Sequence, residues 1–277
     1  MIVRIFKDDE TYVINNFNGN IYGSNAYEAG RVFYFIQKAI YSMPRLYGKV
    51  NEFKDSLNSW KKAFDETLSS MTSLMLTEGR IKFYANFEIE SEILNIKGKI
   101  DGNKVSLSSS LLKIPEGITN DLKGVILLDS FYFNHMERKR PFILPSARDG
   151  FLASFYKFVV FQSEGISGIP KSMGIAAEFI NSISINPGYE DEILGHQIIV
   201  NDEGLFIDDQ PAYNSFSEML SLFALKYFLL NTTSNDVLII EDIEAHLSDK
   251  GKALLNEYLK TAKCNIVFVS NYSKFSE

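Results

Sequence analysis

Cysteine is almost missing from this chain. The single Cys264 has no partner for an internal disulfide, so nothing here depends on an oxidising compartment. It precedes the apolar run NIVFV and reads as a small buried hydrophobe, not a nucleophile. Histidine is scarce as well: His135, His196 and His246 are scattered and lack the companion Cys or His spacing of a zinc site. No apolar run approaches the roughly 20 residues of a membrane span. The opening MIVRIFKDDETYVI puts acids where a signal peptide would have its apolar stretch, so the expectation is a cytoplasmic protein without a membrane partner. An excess of basic charge is also absent. With 28 Lys and Arg against 35 Asp and Glu, the net charge of −7 excludes a surface that is basic overall and holds nucleic acid non-specifically. Only a local patch stays open to nucleic acid, and the densest, MERKRP at Met136–Pro141, reads as a solvated turn.

What remains is an ordinary globular composition, 45% hydrophobic over 277 residues, enough to bury a core without staples. No internal repeat or low-complexity linker divides it, and residues 1–277 read as one α/β domain. Ile2 to Tyr22 alternates short apolar runs with turn residues, the pattern of two or three strands. A helix is expected from near Gly30 to Pro44, with Val32, Phe35, Ile36, Ala39, Ile40 and Met43 on one face, and a second over Val50 to Leu76. Arg80 to Leu112 alternates apolar and polar residues about Gly-containing turns, as an antiparallel meander does, giving a β lobe at approximately 80–112. Gly124 to Asp129 is a continuous apolar run. Helices are expected around Phe151 to Phe161 and Lys171 to Ile183, a helical lobe at approximately 150–185, then a hairpin turning at Asn201 to Gly204 and an apolar helix from Ser217 to Leu230. At the end, DVLII (Asp236 to Ile240) and NIVFV (Asn265 to Val269) are buried-strand runs. A helix bearing Leu254, Leu255, Tyr258 and Leu259 joins them, so the two strands should be parallel.

Two places carry chemistry. The first is NIYGSNAYEAGRV, where a strand end runs into the small-residue loop Gly23, Ser24, Asn25 and then a helix. The layout is that of a phosphate-binding loop, but Arg31 stands where Lys belongs, Val32 where Ser or Thr belongs, and two extra residues separate Gly23 from Gly30. The nucleotide-binding candidates are Gly23, Ser24, Asn25, Gly30 and Arg31; the plain alternative is a strand-to-helix connection. The second is the acidic strand end EDIEAHLSDKG, Glu241 to Gly251. Two carboxylates at the carboxyl end of a buried parallel strand lie where α/β sheets place ligands, and burying them without a counter-charge is costly. Glu241 is the candidate for a Mg²⁺ shell and Asp242 for orienting water. The alternative is that both cap the following helix.

These segments resemble the ABC-type ATPase heads of the RecF, SMC and OLD group, particularly its small AAA-family ATPases. VLIIEDIEAHLSDKG is similar to that family's Walker B form hhhhEEPEahLHP, with Asp242 for the second Glu, Ile243 for Pro and Ser248 for His. VFVSNYS resembles its TTHS-like switch, with Tyr272 at the switch His. NSFSEMLSLFAL, with Ser215 and Ser217, sits where the family has SSG-x-x-x-L, Phe216 replacing the glycine. FILPSARDGF resembles its IPAeRaG segment, and the opening loop falls at its P-loop. The resemblance implies a P-loop NTPase fold, ATP and Mg²⁺ as ligands held weakly if at all, and dimers of like heads or a heteromer with an active ATPase subunit. Each departure costs chemistry. Val32 offers Mg²⁺ no oxygen, Asp242 is a methylene short, and Tyr272 is no proton acceptor near neutral pH. The implied function is a degenerate head, a pseudo-ATPase or very weak ATPase. The alternatives are an active ATPase in DNA repair or phage defence, and a purely structural interaction protein. On the bland side, Ser215 and Ser217 serve as helix caps, Arg148 pairs with Asp149 or another acid, and the 22 Phe fill the core.

Overall fold

The computed structural model describes residues 1–160 and 169–271. They group into two compact units. The first holds Met1–Thr77, Ile81–Pro141 and the chain end from Ser270; the second holds Glu78–Arg80 and Phe142–Val269. Among the described residues no helix is long and apolar enough to cross a membrane.

The first unit contains β1 (Ile2–Lys7), β2 (Glu10–Asn15), β3 (Gly19–Tyr22), α1 (Ala26–Ser42), α2 (Ser56–Glu78), β4 (Phe83–Glu90), β5 (Leu94–Gly102), β6 (Lys104–Leu111) and α3 (Leu122–His135). The meander expected over 80–112 is β4, β5 and β6, joined by β1 and β2 in an antiparallel sheet of order β2-β1-β4-β5-β6. Alternation sets its faces: Ile89, Ile96 and Ser109 stand opposite one another on the inner side and are buried. The outer edge of β6 is covered by α2, whose Ser73 Oγ and Asp65 Oδ1 accept the Val105 and Ser109 N–H groups at 2.8 and 3.0 Å. The run at Gly124 lies in α3, started by the Asp121 carboxylate accepting from the Gly124 N–H.

α1 has no basic residue in its last turn. Arg138 supplies the cation from outside, donating to the carbonyls of Ile40, Tyr41 and Met43 at 3.0, 3.1 and 2.6 Å. One packing detail yields a direct prediction. Gly98 faces Phe87 across the strands, and a Cβ built on it would lie 2.2 Å from the Phe87 ring. Alanine outranks glycine in a strand, yet Gly98→Ala is expected to destabilise by about 1–3 kcal/mol because the ring must move. Urea titration of the variant checks this; a neutral or stabilising result would mean that the ring has room to yield.

The second unit takes up the chain in β7 (Arg140–Leu144) and continues with α4 (Arg148–Ser154), α5 (Ile175–Ile180), β8 (Tyr189–Ile193), β9 (His196–Asn201), β10 (Gly204–Ile207), β11 (Gln210–Pro211), α6 (Ser217–Asn231), β12 (Asp236–Glu241), α7 (Asp249–Thr261) and β13 (Asn265–Ser270). β12 and β13 pair in parallel, Val237 opposite Asn265 through Glu241 opposite Val269, with α7 as the crossover and β7 beside β12. Every residue of β12 is buried, which explains its continuous apolar run. The hairpin at Asn201–Gly204 is β9–β10, in a small antiparallel sheet of order β11-β10-β9-β8. The chain is therefore mixed α/β, with two antiparallel sheets and a third that contains the parallel pair β12–β13.

Five expectations need correction. α2 begins at Ser56, not Val50, because Asp55 stands before it with its carboxylate accepting the Asn58 N–H at 3.1 Å. α1 begins at Ala26, not near Gly30, because glycine is tolerated inside a helix whose neighbours pack well. The helix expected around Phe151 ends at Ser154 and gives way to a 3₁₀ turn at Tyr156–Val159; Phe161 lies outside the described residues. The one expected over Lys171 to Ile183 is a 3₁₀ turn, Lys171–Met173, broken by Gly174 at φ 62° before α5. Cys264 is only half-buried, since it lies in the turn before β13 and not in the strand.

Candidate functional site

The loop after β3 belongs to the first unit, and its donors are already engaged. Glu10, the first residue of β2, puts its carboxylate into the loop. Oε1 accepts the Ser24 N–H at 3.2 Å and the Ser24 hydroxyl at 3.3 Å, while Oε2 accepts from Asn25 Nδ2 at 3.2 Å and from the Tyr12 hydroxyl. The Ala26 N–H bonds the Gly23 carbonyl at 3.1 Å, and the Tyr27 N–H bonds Asn271 Oδ1 at 3.3 Å. Gly23 sits at φ 140°, where a Cβ would fall 2.6 Å from Glu10 Oε1. An internal carboxylate thus occupies the small-residue loop. The helix start correction bears on Gly30 and Arg31, which lie one turn inside α1; the Arg31 guanidinium is 5.9 Å from the centre of the Tyr27 ring. Val32 is in the core.

Glu10 escaped the sequence reading, although a signal exists. Alternation along ETYVIN puts Glu10 on the face of Tyr12 and Ile14, both buried, so an acid stands in an inward register. The Tyr12 hydroxyl first, then Asn25, hold its carboxyl below the usual carboxylate range, while burial first and then Glu10 push the Tyr12 phenol up. The sign follows: a depressed acid pKa stabilises the folded chain above the ordinary value of 4.5, and the contribution fades as pH falls through the folded value. Wild type is expected to melt higher than Glu10→Gln near neutral pH, with the gap closing on the acid side. A gap that persists or widens in acid would contradict the latch.

The acidic strand end belongs to the second unit, and its polar groups too are met from within the chain. The Glu241 carboxylate, fully buried, accepts the Ser146 N–H at 3.1 Å. Arg148, from the PSARDG segment and also fully buried, donates Nε to Ser221 Oγ at 2.7 Å. Its other nitrogens reach the main-chain carbonyls of Pro145, Glu241, Asp242, Ile243 and Ala245 at 3.0–3.4 Å. Burial lowers its pKa to about 10, with Asp149 and Glu241 acting to keep it charged. Arg148 therefore grips the loop backbone instead of pairing simply with Asp149. Asp242 takes a left-handed conformation, φ 40°, while its N–H bonds the Val269 carbonyl at 2.9 Å. His246, at φ 65°, approaches Asp149 at 3.6 Å.

No protein-family profile, curated protein or solved structure matches the chain.

The capping alternatives fail on geometry. α7 is capped by Ser248, whose hydroxyl accepts the Gly251 N–H at 3.2 Å while Glu218 of α6 accepts from the Ser248 N–H and hydroxyl at 2.9 and 2.5 Å. Glu241 and Asp242 lie well before that cap. α6 has Phe216 at its N-cap and no side-chain cap, so neither Ser215 nor Ser217 caps it, and Phe216 is 75% exposed. Tyr272 lies outside the described residues. Among the described residues no group of His, Cys, Asp and Glu has the arrangement of a metal site.

Proposed function

We propose that this chain is an ABC-type ATPase-like head without working hydrolysis, a pseudo-ATPase that acts by association with a second copy or with an active ATPase subunit. The observation that carries the reading is the Glu10 carboxylate in the small-residue loop, held by Ser24, Asn25 and Tyr12. A phosphate in this loop would need the Ser24 N–H and the Ser24 and Asn25 side-chain donors free, and a resident carboxylate both uses them and repels the ligand's charge. Arg31 and Val32 do not repair the loss, being inside a helix and in the core. ATP therefore does not fit this loop as it stands.

Mg²⁺ fits no better at the acidic strand end. Glu241 is buried against an N–H donor and shares its surroundings with the Arg148 guanidinium, whereas the ion wants several oxygens and its own waters. The parallel β12–α7–β13 unit, ending in Glu241 and Asp242, and the antiparallel β lobe are consistent with the family layout. Satisfied loop donors also favour a purely structural interaction protein, and nucleotide binding at any other surface separates the two. The test is turnover: purified chain with ATP and Mg²⁺ is expected to hydrolyse far below about 1 per second, the low end of typical enzymes. Turnover at or above that rate, abolished by Asp242→Asn, would overturn the proposal.

A further inference from the structure

The main chain after β12 is folded round a cation that the protein supplies itself. Five carbonyls, of Pro145, Glu241, Asp242, Ile243 and Ala245, converge on the Arg148 guanidinium. Converging carbonyl dipoles repel one another, and Asp242 takes the left-handed conformation that few residues besides Gly, Asn and Asp adopt. Such a turn needs a positive charge at its centre. Arg is suited to it, because its planar fork offers five N–H donors in fixed directions, whereas Lys offers a single point charge with three.

We propose that Arg148 is the resident cation of the acidic strand end: its guanidinium fills the ring of main-chain carbonyls beside buried Glu241 and templates the loop from Glu241 to Ala245, so that this strand end takes no divalent metal. The inference deepens the pseudo-ATPase reading and rests on it, naming metal independence as a property of the site. Arg148 is a positioning residue here, acting through the loop it holds. Its charge survives burial at neutral pH, because the pKa stays near 10.

Chemical rescue tests this directly. Arg148→Ala leaves a guanidinium-shaped gap among carbonyls, and ethylguanidinium, at concentrations too low to denature, is expected to restore roughly half or more of the lost melting temperature by binding only the folded state. Wild type and Leu152→Ala, a cavity variant in the same helix, should gain nothing. A general structural role for Arg148 would not produce that selectivity. Failure of ethylguanidinium to rescue, or equal rescue by tetramethylammonium or sodium at matched ionic strength, overturns the proposal. Should Arg148→Ala not fold, wild type decides: Mn²⁺ is expected to leave the amide resonances of Glu241 to Ala245 unbroadened. Selective broadening there that Glu241→Gln removes would overturn it. Broadening without ATP turnover sinks this inference alone; turnover with rescue intact and no broadening sinks the pseudo-ATPase reading and leaves Arg148 its role.

Discussion

Arg148→Met is expected to lower the unfolding free energy by about 3–5 kcal/mol, the range seen when one partner of a buried charged network is removed. Methionine keeps most of the volume, so the loss is electrostatic and hydrogen-bonded, not a cavity. It removes one partner from the Ser221 hydroxyl, which still donates to the Ala245 carbonyl, and one from each of the carbonyls of Glu241, Asp242, Ile243 and Ala245, in a buried place. Arg148→Lys should fall between the two, keeping the charge but not the fork. Chemical denaturation of the three proteins gives the order wild type, Lys, Met. A methionine variant within about 1 kcal/mol of wild type would mean that water replaces the guanidinium at little cost.

Asp129→Ala should cost nearly as much, about 2–4 kcal/mol, in the first unit. Asp129 in α3 is buried, and its Oδ1 accepts from the Leu46 N–H at 2.9 Å and the Trp60 indole N–H at 3.2 Å; Arg45 lies 3.7 Å from Oδ2. Trp60 stacks between Phe64 and Tyr132, with ring centres 5.4 and 4.5 Å away, so the indole cannot turn to find another acceptor. Truncation leaves two buried donors without partners. Asp129→Asn keeps an acceptor at Oδ1 and is expected to lose clearly less. Equal losses for the two variants would show that charge, not hydrogen bonding, dominates at this position.

How legible these features were depends on what kind of pattern each leaves. The β12 and β13 runs are read directly, since strands buried on both faces have no choice but to be apolar, and a helix of the length of α7 between them dictates parallel pairing. The β4–β6 meander is equally open, because alternation fixes both face and register. Helix ends are less so: Gly30 looked like a start only because glycine is usually punctuation, and nothing local says that Ala26 to Ala29 already lie in the helix. At the candidate site, small residues of the loop and adjacent acids of the strand end were visible as types, but not their partners. Glu10 sits in the acid-rich KDDE turn, where a carboxylate reads as solvated. Arg148 binds carbonyls, which every residue carries, so no side-chain pattern could name its acceptors. Hydrogen-bond partners supplied by distant parts of the chain are tertiary facts, and both decisive groups, Glu10 and Arg148, act through such partners.

The central claim is that the small-residue loop is closed by its own carboxylate. Its most direct test is the melting temperature of the wild-type chain across a rising concentration of ATP with Mg²⁺, since a ligand that binds only the folded state must raise it steadily. The account predicts a flat curve, indistinguishable from that of an equal concentration of magnesium sulfate. A concentration-dependent rise in wild type that Gly23→Ala or Ser24→Pro removes would contradict it.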